Sequence, residues 1–398
     1  MLTDNEMADG PHVLLLGSFP PQAQGIPGYC GALAEALAQH GPVDAIGFKA
    51  MYPRWLFPGV KDVMDPTGTV PEAPGLTVRH VLTWYNPLGW CWYAFRARVD
   101  VVHIQWWSLP LAPVCITFAL LARLRGVPVV LTAHNVLPHE PSPWFLRSSH
   151  LLYGLASHIF VHSEMNREQL LAEFGVDASR VSHVPMGILG AGRPTMDTKE
   201  ARRVLDLPLN RPTLLFFGII RPYKGLDVLL HALALVRDTH PEVQLLIAGK
   251  PWGTWELYQA IIEAKGLAEC VHLRLDYIPE AEVGHYFAAA DLVVLPYTHF
   301  DAQSAVGVQV LGYGKPLLVT KTGGLPDLVG GDPRWCVEAQ NVEALSDAIG
   351  TFFNDPVEAN AQFASLRQGR HEVLSWSASA RTHATIYTWL LEKEARPT

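Results

Sequence analysis

The chain has 398 residues, a formal net charge of −8, 49% hydrophobic residues and 17% charged ones. That balance excludes a mostly disordered chain, and the length predicts two domains rather than one. Positions 1–195 hold 12 basic and 14 acidic residues and the remainder 18 and 24, so neither half has the basic excess needed to grip a nucleic-acid backbone. Five scattered cysteines (Cys30, Cys91, Cys115, Cys270, Cys336), with no CxxC spacing, argue against a disulfide framework or a zinc site and point to a reducing compartment. The first twelve residues are acidic and polar and do not read as a signal peptide. No uncharged apolar run has the length of a membrane span. The expectation is a cytoplasmic protein, at most seated on the inner face of the cytoplasmic membrane.

In chain order, the apolar run His12–Gly17 predicts a strand ending at a Gly- and Pro-rich loop, and Tyr29–His40 has helical spacing. Val99–Trp107 reads as a buried strand, Ala112–Arg125 as a helix, Val127–Ala133 as a strand, Leu146–Leu155 as a helix and Ser157–Val161 as a strand. A Gly- and Pro-rich stretch, Gly187–Thr198, predicts a linker. The pattern then restarts. Strands are expected at Thr213–Gly218, Val243–Gly249, Val271–Leu275, Leu292–Pro296 and Pro316–Thr320. Helices are expected at Gly225–His240, Trp255–Lys265, Ala281–Ala289 and Gln303–Tyr313. A last helix, about Ala378–Lys393, is expected to pack back on the first domain. Alternation of this kind predicts an α/β protein of two Rossmann-like, doubly wound parallel sheets facing a cleft. The domains are placed at 1–195 and 196–376, with a C-terminal helix in 377–398. Ligands of such sheets bind beyond the carboxyl ends of the strands, so the informative residues are those just after strands.

Gly218-Ile-Ile-Arg-Pro-Tyr-Lys-Gly225 follows an apolar strand and opens a helix. Arg221 and Lys224 projecting from that turn suit a diphosphate, the helix end adding free N–H donors, while a solvated loop with two ordinary charges is the plain alternative. Asp301 precedes the next helix start, where Ser304 can cap and the first-turn amides, near Gln303 and Ala305, can receive an anion. Asp301 and Gln309 are a little over two turns apart and can share a cleft only near its edge. Thr322-Gly-Gly-Leu-Pro326 is a further glycine turn that lets backbone approach a ligand.

IRPYKG, LIAGK, ADLVVLPY, GYGKPLLVT and TGGLPDLV, in this order and spacing, resemble the donor domain of retaining family 4 glycosyltransferases with the GT-B fold. VDVVHIQWW, RGVPVVLTAHNVLPHE and SHIFVHSE resemble the acceptor domain of the same group, so the resemblance covers nearly the whole chain. It implies that Arg221 and Lys224 hold the donor diphosphate. It also implies that the Gly249–Lys250 loop and the segment at Tyr277–Ile278 flank the nucleotide, while Gly218 lets backbone approach the donor closely at the cationic turn. Gly28, in Gly25-Ile-Pro-Gly28, resembles the glycine loop that meets donor phosphate. The family's glutamate pair is replaced by Asp301 and Gln309. The first keeps a carboxylate near the donor sugar, and the second keeps an acceptor oxygen for a ribose hydroxyl without the charge.

Of the 17 histidines, His103, His134 and His139 lie on or just beyond strands facing the expected cleft. His103 reads as a core residue, with Gln105 standing where many relatives have a second His. His134 can hydrogen-bond the transferred sugar or accept a proton. His139-Glu140, flanked by prolines, does not fit a zinc site. The implied reaction moves a sugar from a UDP- or GDP-sugar to a glycan, glycolipid or lipid-linked acceptor with retention, without metal or other cofactor. A nucleotide-sugar epimerase or hydrolase, or a non-catalytic binding partner, are the competing readings. The aromatic stretch Trp84–Phe95, with Trp55–Phe57, Arg96 and Arg98, fits a core helix packed on the first sheet better than a peripheral membrane contact.

Overall fold

A computed structural model describes residues 10–22, 25–52, 65, 68–137, 142–190 and 196–395. His139, Glu140, Trp55–Phe57 and part of the expected linker (191–195) lie outside the described residues. The chain divides into two compact units: residues up to Gly187 together with those from Leu374 onward, and Ile188–Val373. The changeovers fall short of the expected 195 and 377.

The first unit is a seven-stranded parallel sheet. Its strands are β1 (Val13–Leu16), β2 (Val43–Ala50), β3 (Leu76–Thr83), β4 (Val101–Trp106), β5 (Val129–Ala133), β6 (His158–Val161) and β7 (Val181–His183). Their order is β3-β2-β1-β4-β5-β6-β7, with Val13 registered against both Val43 and Val101. The central strands β1, β4, β5 and β6 are buried along their length, as expected of a sheet covered on both faces. The steps β3→β4, β4→β5 and β5→β6 run the same way across the sheet. Right-handed crossovers therefore put helices Pro87–Arg96, Ala112–Leu124 and Pro143–Leu155 on one face. Trp90, Phe118 and Leu152 from these three helices enter one core. The step β1→β2 runs the other way, so helix Gly25–Leu37 covers the opposite face. There it packs against helix Trp376–Ala395. Trp376 lies edge-on to Tyr29 at 5.3 Å. A side chain on Gly187 would strike the Trp376 ring at 2.5 Å.

The second unit holds β8 (Thr213–Phe217), β9 (Gln244–Ala248), β10 (Val271–Arg274), β11 (Leu292–Leu295), β12 (Leu317–Thr320) and β13 (Cys336–Val337), in the order β10-β9-β8-β11-β12-β13. All pairings are parallel. The order reverses between β8 and β11, the topological switch point at which a doubly wound sheet opens a crevice.

Candidate functional site

Gly218 and the turn to Gly225 follow β8; Pro296–Ser304 follows β11. Three close backbone approaches gather these loops. A Cβ on Gly225 (φ 67°) would lie 2.0 Å from the Pro296 carbonyl oxygen, and one on Gly249 (φ 143°) 2.1 Å from that of Gly218. One on Gly323 would lie 2.3 Å from the carbonyl oxygen of Phe300. Only glycine permits such contacts. Tyr223, between the two cationic residues, ties the turn to the β11 loop. Its carbonyl accepts from the Thr298 amide at 2.8 Å, and its ring stacks on Phe300 at 5.7 Å and meets Tyr297 edge-on. The amide of Gly324 donates to Ala302 at 3.0 Å, joining the Thr322–Pro326 turn to the segment carrying Asp301.

Lys224 is 6% exposed. Its ammonium stands 5.7 Å over the Tyr297 ring, close to Gly218 and to Val306 in the first turn of helix Ala305–Gly312. Burial, and then the neighbouring Arg221, pull its pKa down from 10.5 to about 7. The Arg221 guanidinium lies 4.4 Å over Trp252. Among the described residues neither cation has a carboxylate partner. Two cations held together and unpaired, one of them buried, leave positive charge that a polyanion could neutralise.

Ser304 is the N-cap of the neighbouring helix, accepting from the Gly307 amide at 3.3 Å while its oxygen sits 3.2 Å from the Tyr297 hydroxyl. The helix starts at Ala305, so Gln303 belongs to the preceding loop rather than to the helix, because the cap residue itself is extended. Gln303 is buried, whereas Asp301 and Gln309 are half-buried. Lys250 and Tyr277, after β9 and β10, are exposed, and Ile278 is half-buried. The Lys250 carbonyl accepts from Ile220, and the Gly249 amide donates to Arg274, so the ends of β8, β9 and β10 are laced together. Lys315, in the Gly-Lys-Pro turn, is structural, its ammonium donating to the carbonyls of Ala288 and Ala290 at a helix end.

In the first unit a cluster of imidazoles joins His134 and His162, at the carboxyl ends of β5 and β6, to His103 in the middle of β4. His134 follows β5 and is 4% exposed. Its Nε2 donates to Gln105 Oε1 at 2.8 Å. The Thr132 hydroxyl donates to His103 Nε2 at 2.7 Å, and the Gln105 amide nitrogen lies 3.2 Å from the same atom. His103 Nδ1 then donates to the Tyr387 hydroxyl at 2.7 Å. His103 is therefore a core residue with all its valences used. His162, after β6, donates from Nδ1 to the Val184 carbonyl at 2.9 Å and lies 5.1 Å from the His134 ring. Tyr29 touches both rings edge-on.

Burial pushes His134 and His103 well below the ordinary histidine value, and holds His162 at about 4. The neighbouring His162 imidazole adds to the effect on His134. Of the two roles read for it, hydrogen bonding as a neutral ring fits these surroundings; acting as a proton acceptor does not, because the low dielectric penalises the charged form.

Gly28 lies inside helix Gly25–Leu37, not in the loop expected before it, since the helix begins four residues earlier than Tyr29. A Cβ there would meet nothing within 4 Å. Alanine is favoured over glycine in a helix by about 0.5–1 kcal/mol. Gly28→Ala is therefore expected to raise the melting temperature. If donor phosphate approaches this backbone, the variant also loses turnover; unchanged kinetics would remove Gly28 from the site.

Sequence reading missed Tyr223, Trp252, Tyr297, His162 and Tyr29. Tyr297 and His162 stand immediately or nearly so after strands, in the same relation to the sheet as the residues that were picked out, and that position was the usable signal. Among the described residues no group of three His, Cys, Asp or Glu side chains is placed to hold a metal ion. Nor is any helix among them long and apolar enough to cross a membrane.

Two parallel, doubly wound domains of this kind define the class of GT-B proteins, and comparisons place the chain within it. Residues 197–367 match the family of glycosyl transferases group 1, and residues 24–187 the glycosyl transferase 4-like domain. D-inositol 3-phosphate glycosyltransferase of Streptomyces scabiei is 25% identical over 367 residues, covering 82% of this chain and 80% of that one. Among solved structures, the Anabaena protein HepE in complex with UDP and glucose superposes with a TM-score of 0.71 at 18% identity, covering 95% and 100% of the two chains. Sucrose-phosphate synthase of Thermosynechococcus elongatus gives 0.70 at 19%, covering 96% and 99%. The chain belongs to the group 1, family 4 glycosyltransferases of GT-B fold, and it is a glycosyltransferase enzyme.

Proposed function

We propose that the protein transfers a hexose from a nucleotide-sugar to a hydroxyl of a glycan, glycolipid or lipid-linked acceptor, with retention and without a metal ion. The observation that carries this reading is Lys224: a lysine ammonium buried beside Arg221, with no carboxylate partner among the described residues, at the switch point of a doubly wound sheet. A donor diphosphate supplies the missing charge. UDP- or GDP-sugars both meet that requirement, and the UDP and glucose in the complex of HepE favour the uridine form. The name of the Streptomyces relative favours an acceptor rich in hydroxyls.

On this reading Arg221 and Lys224 stabilise charge as it develops on the leaving phosphate. The acceptor hydroxyl attacks from the face that the diphosphate leaves, and its proton passes to the departing phosphate oxygen, so no dedicated base is required. Asp301 lies near the donor sugar, and Gln309 offers its amide to a ribose hydroxyl. The Gly218 turn, Gly249, Lys250, Tyr277 and Ile278 flank the nucleotide, while Gln303, Ser304 and Ala305 present the helix start to the phosphates. His134 hydrogen-bonds a hydroxyl of the transferred sugar.

The test is nucleoside diphosphate release from UDP-, GDP- and ADP-sugars with and without acceptor hydroxyls, followed by nuclear magnetic resonance of the product's anomeric configuration. Acceptor-dependent release with a retained anomer is expected. Inversion would overturn the mechanism. Release that no acceptor accelerates would instead favour a hydrolase or epimerase.

A pH dependence follows. Burial and Arg221 lower Lys224 to about 7, whereas a diphosphate beside it would hold it protonated to higher pH. Donor binding therefore takes up a proton above about pH 7, and affinity for a nucleotide-sugar should fall by up to about tenfold per pH unit there. Calorimetry in buffers of different ionisation heat should record that uptake in the wild type, and none in Lys224→Met.

A further inference from the structure

We propose that Gln105 and Tyr387 are positioning residues that fix which nitrogen of His134 carries its proton, so that His134 meets the transferred sugar as a hydrogen-bond acceptor at Nδ1. The inference rests on the sugar contact proposed above for His134 and adds its direction. His103 and Gln105 stand two apart on β4 and so share one face of the sheet. Gln105 is registered against Thr132 of β5, two residues before His134. His103, Gln105, Thr132 and Tyr387, the last from helix Trp376–Ala395, are each no more than 1% exposed. At that burial bulk water cannot mend a mismatched pair, so donors and acceptors must alternate along the chain of contacts.

The order starts at the C-terminal helix. His103 Nδ1 donates to the Tyr387 hydroxyl at 2.7 Å, which leaves Nε2 of the same neutral ring bare. The Thr132 hydroxyl fills that lone pair at 2.7 Å, and the Gln105 amide nitrogen lies 3.2 Å from it. Reversing the amide would set the Gln105 oxygen against the Nε2 lone pair with no proton between them. Gln105 therefore keeps its oxygen toward His134, 2.8 Å from His134 Nε2. An amide oxygen only accepts, so His134 carries its proton on Nε2 and its one lone pair on Nδ1. Packing holds the amide in place: a Cβ on Gly17 would lie 3.1 Å from Gln105 Cγ, so this side chain runs against bare backbone just past β1. The result is a ring that accepts from a sugar hydroxyl at Nδ1 and cannot donate to one there.

The test is nitrogen-15 magnetic resonance of the full-length protein labelled at histidine, which separates protonated from bare ring nitrogens. The His134 signals are assigned by their loss in His134→Ala. The wild type should show His134 protonated at Nε2. Tyr387→Phe deletes one oxygen and with it the acceptor for His103 Nδ1. His103 should then move its proton to Nε2, the Gln105 amide should reverse, and His134 should become protonated at Nδ1. Turnover of a nucleotide-sugar, as kcat/KM, should fall by about tenfold while thermal unfolding confirms the fold. Gln105→Leu should give mixed tautomers and a similar loss. Gln105→His should restore both, because one edge of an imidazole accepts from His134 and the other donates toward His103. Nδ1 protonation in the wild type, or the same tautomer in wild type and Tyr387→Phe, would overturn the proposal. So would full turnover by Tyr387→Phe with His134 inverted. A wild type with the expected tautomer that turns over no nucleotide-sugar would overturn the sugar contact and the transferase reading beneath it, not the tautomer assignment.

Discussion

Lys224→Met is expected to lower glycosyl transfer by about 10²- to 10⁴-fold while making the protein more stable. The two effects share one cause. Folding forces the Lys224 ammonium out of water into a pocket formed by Gly218, Tyr297 and Val306, where the neighbouring charge is the like-signed Arg221. The unfolded chain keeps its proton to about 10.5, and the folded protein releases it near 7. The unfolded state therefore binds more protons between these values, so stability rises with pH across that window. The penalty is present in full below about pH 7 and amounts to a few kcal/mol. Methionine has similar length and no charge, so it removes the penalty; it also removes the partner for the donor diphosphate. Arg221→Ala should cost about 10²- to 10³-fold in turnover. Its effect on stability should be small, because the guanidinium contributes mainly its stacking on Trp252. A melting curve and a steady-state assay on each variant check both signs together. Loss of stability with activity retained in Lys224→Met would mean that the lysine is structural.

Gly225→Ala is expected to destabilise the second unit by more than about 3 kcal/mol and to abolish turnover. Its φ of 67° is left-handed, costing a non-glycine residue about 1–2 kcal/mol. The larger effect is steric. The new methyl would lie 2.0 Å from a backbone oxygen at Pro296, and neither strand end can retreat without breaking the bond from Thr298 to Tyr223. Gly126→Ala is the control, since it has nearly the same φ, 70°, with nothing within 4 Å of the added carbon. Urea unfolding should show only the backbone cost there, about 1–2 kcal/mol. Similar losses in both variants would show that the Gly225 contact relaxes easily and does not hold the cationic turn in place.

The parts of the fold that could be read in advance share one physical property. Strands buried on both faces, such as VLLL at β1, TLLFF at β8 and LVVL at β11, appear as unbroken apolar runs, and the parallel architecture follows from their alternation with helices. β3, an edge strand whose exposure alternates, reads LTVRHVLT and carries Arg79 and His80 mid-strand. β2 opens with an aspartate at its second position, and β7 and β13 have three and two residues. None of these has a local signal strong enough to stand out.

The site was legible in the same uneven way. Arg221 and Lys224 stand out because they follow a strand and precede a helix. The burial of Lys224 does not, because it depends on Tyr297, more than seventy positions away, and on a glycine with no side chain to fill the space. His103 reads correctly as core, yet its partner Tyr387 comes from the C-terminal helix, 284 positions on. For the helix at Pro87–Arg96, composition could not say which apolar residues face inward; its packing buries Trp90 and Ala94 and leaves the others outside.

The central claim is that the turn bearing Arg221 and Lys224 receives the diphosphate of a nucleotide-sugar. A thermal-shift panel of UDP, GDP, ADP and their sugar conjugates, run on the wild type and on an Arg221→Ala, Lys224→Met double variant, tests it most directly. Ligand at about a hundred times its dissociation constant adds roughly 2.7 kcal/mol to the folded state. One nucleotide family should therefore raise the wild-type melting temperature by several degrees and leave the double variant unmoved. Equal stabilisation of both proteins, or none of the wild type by any member of the panel, would contradict the claim.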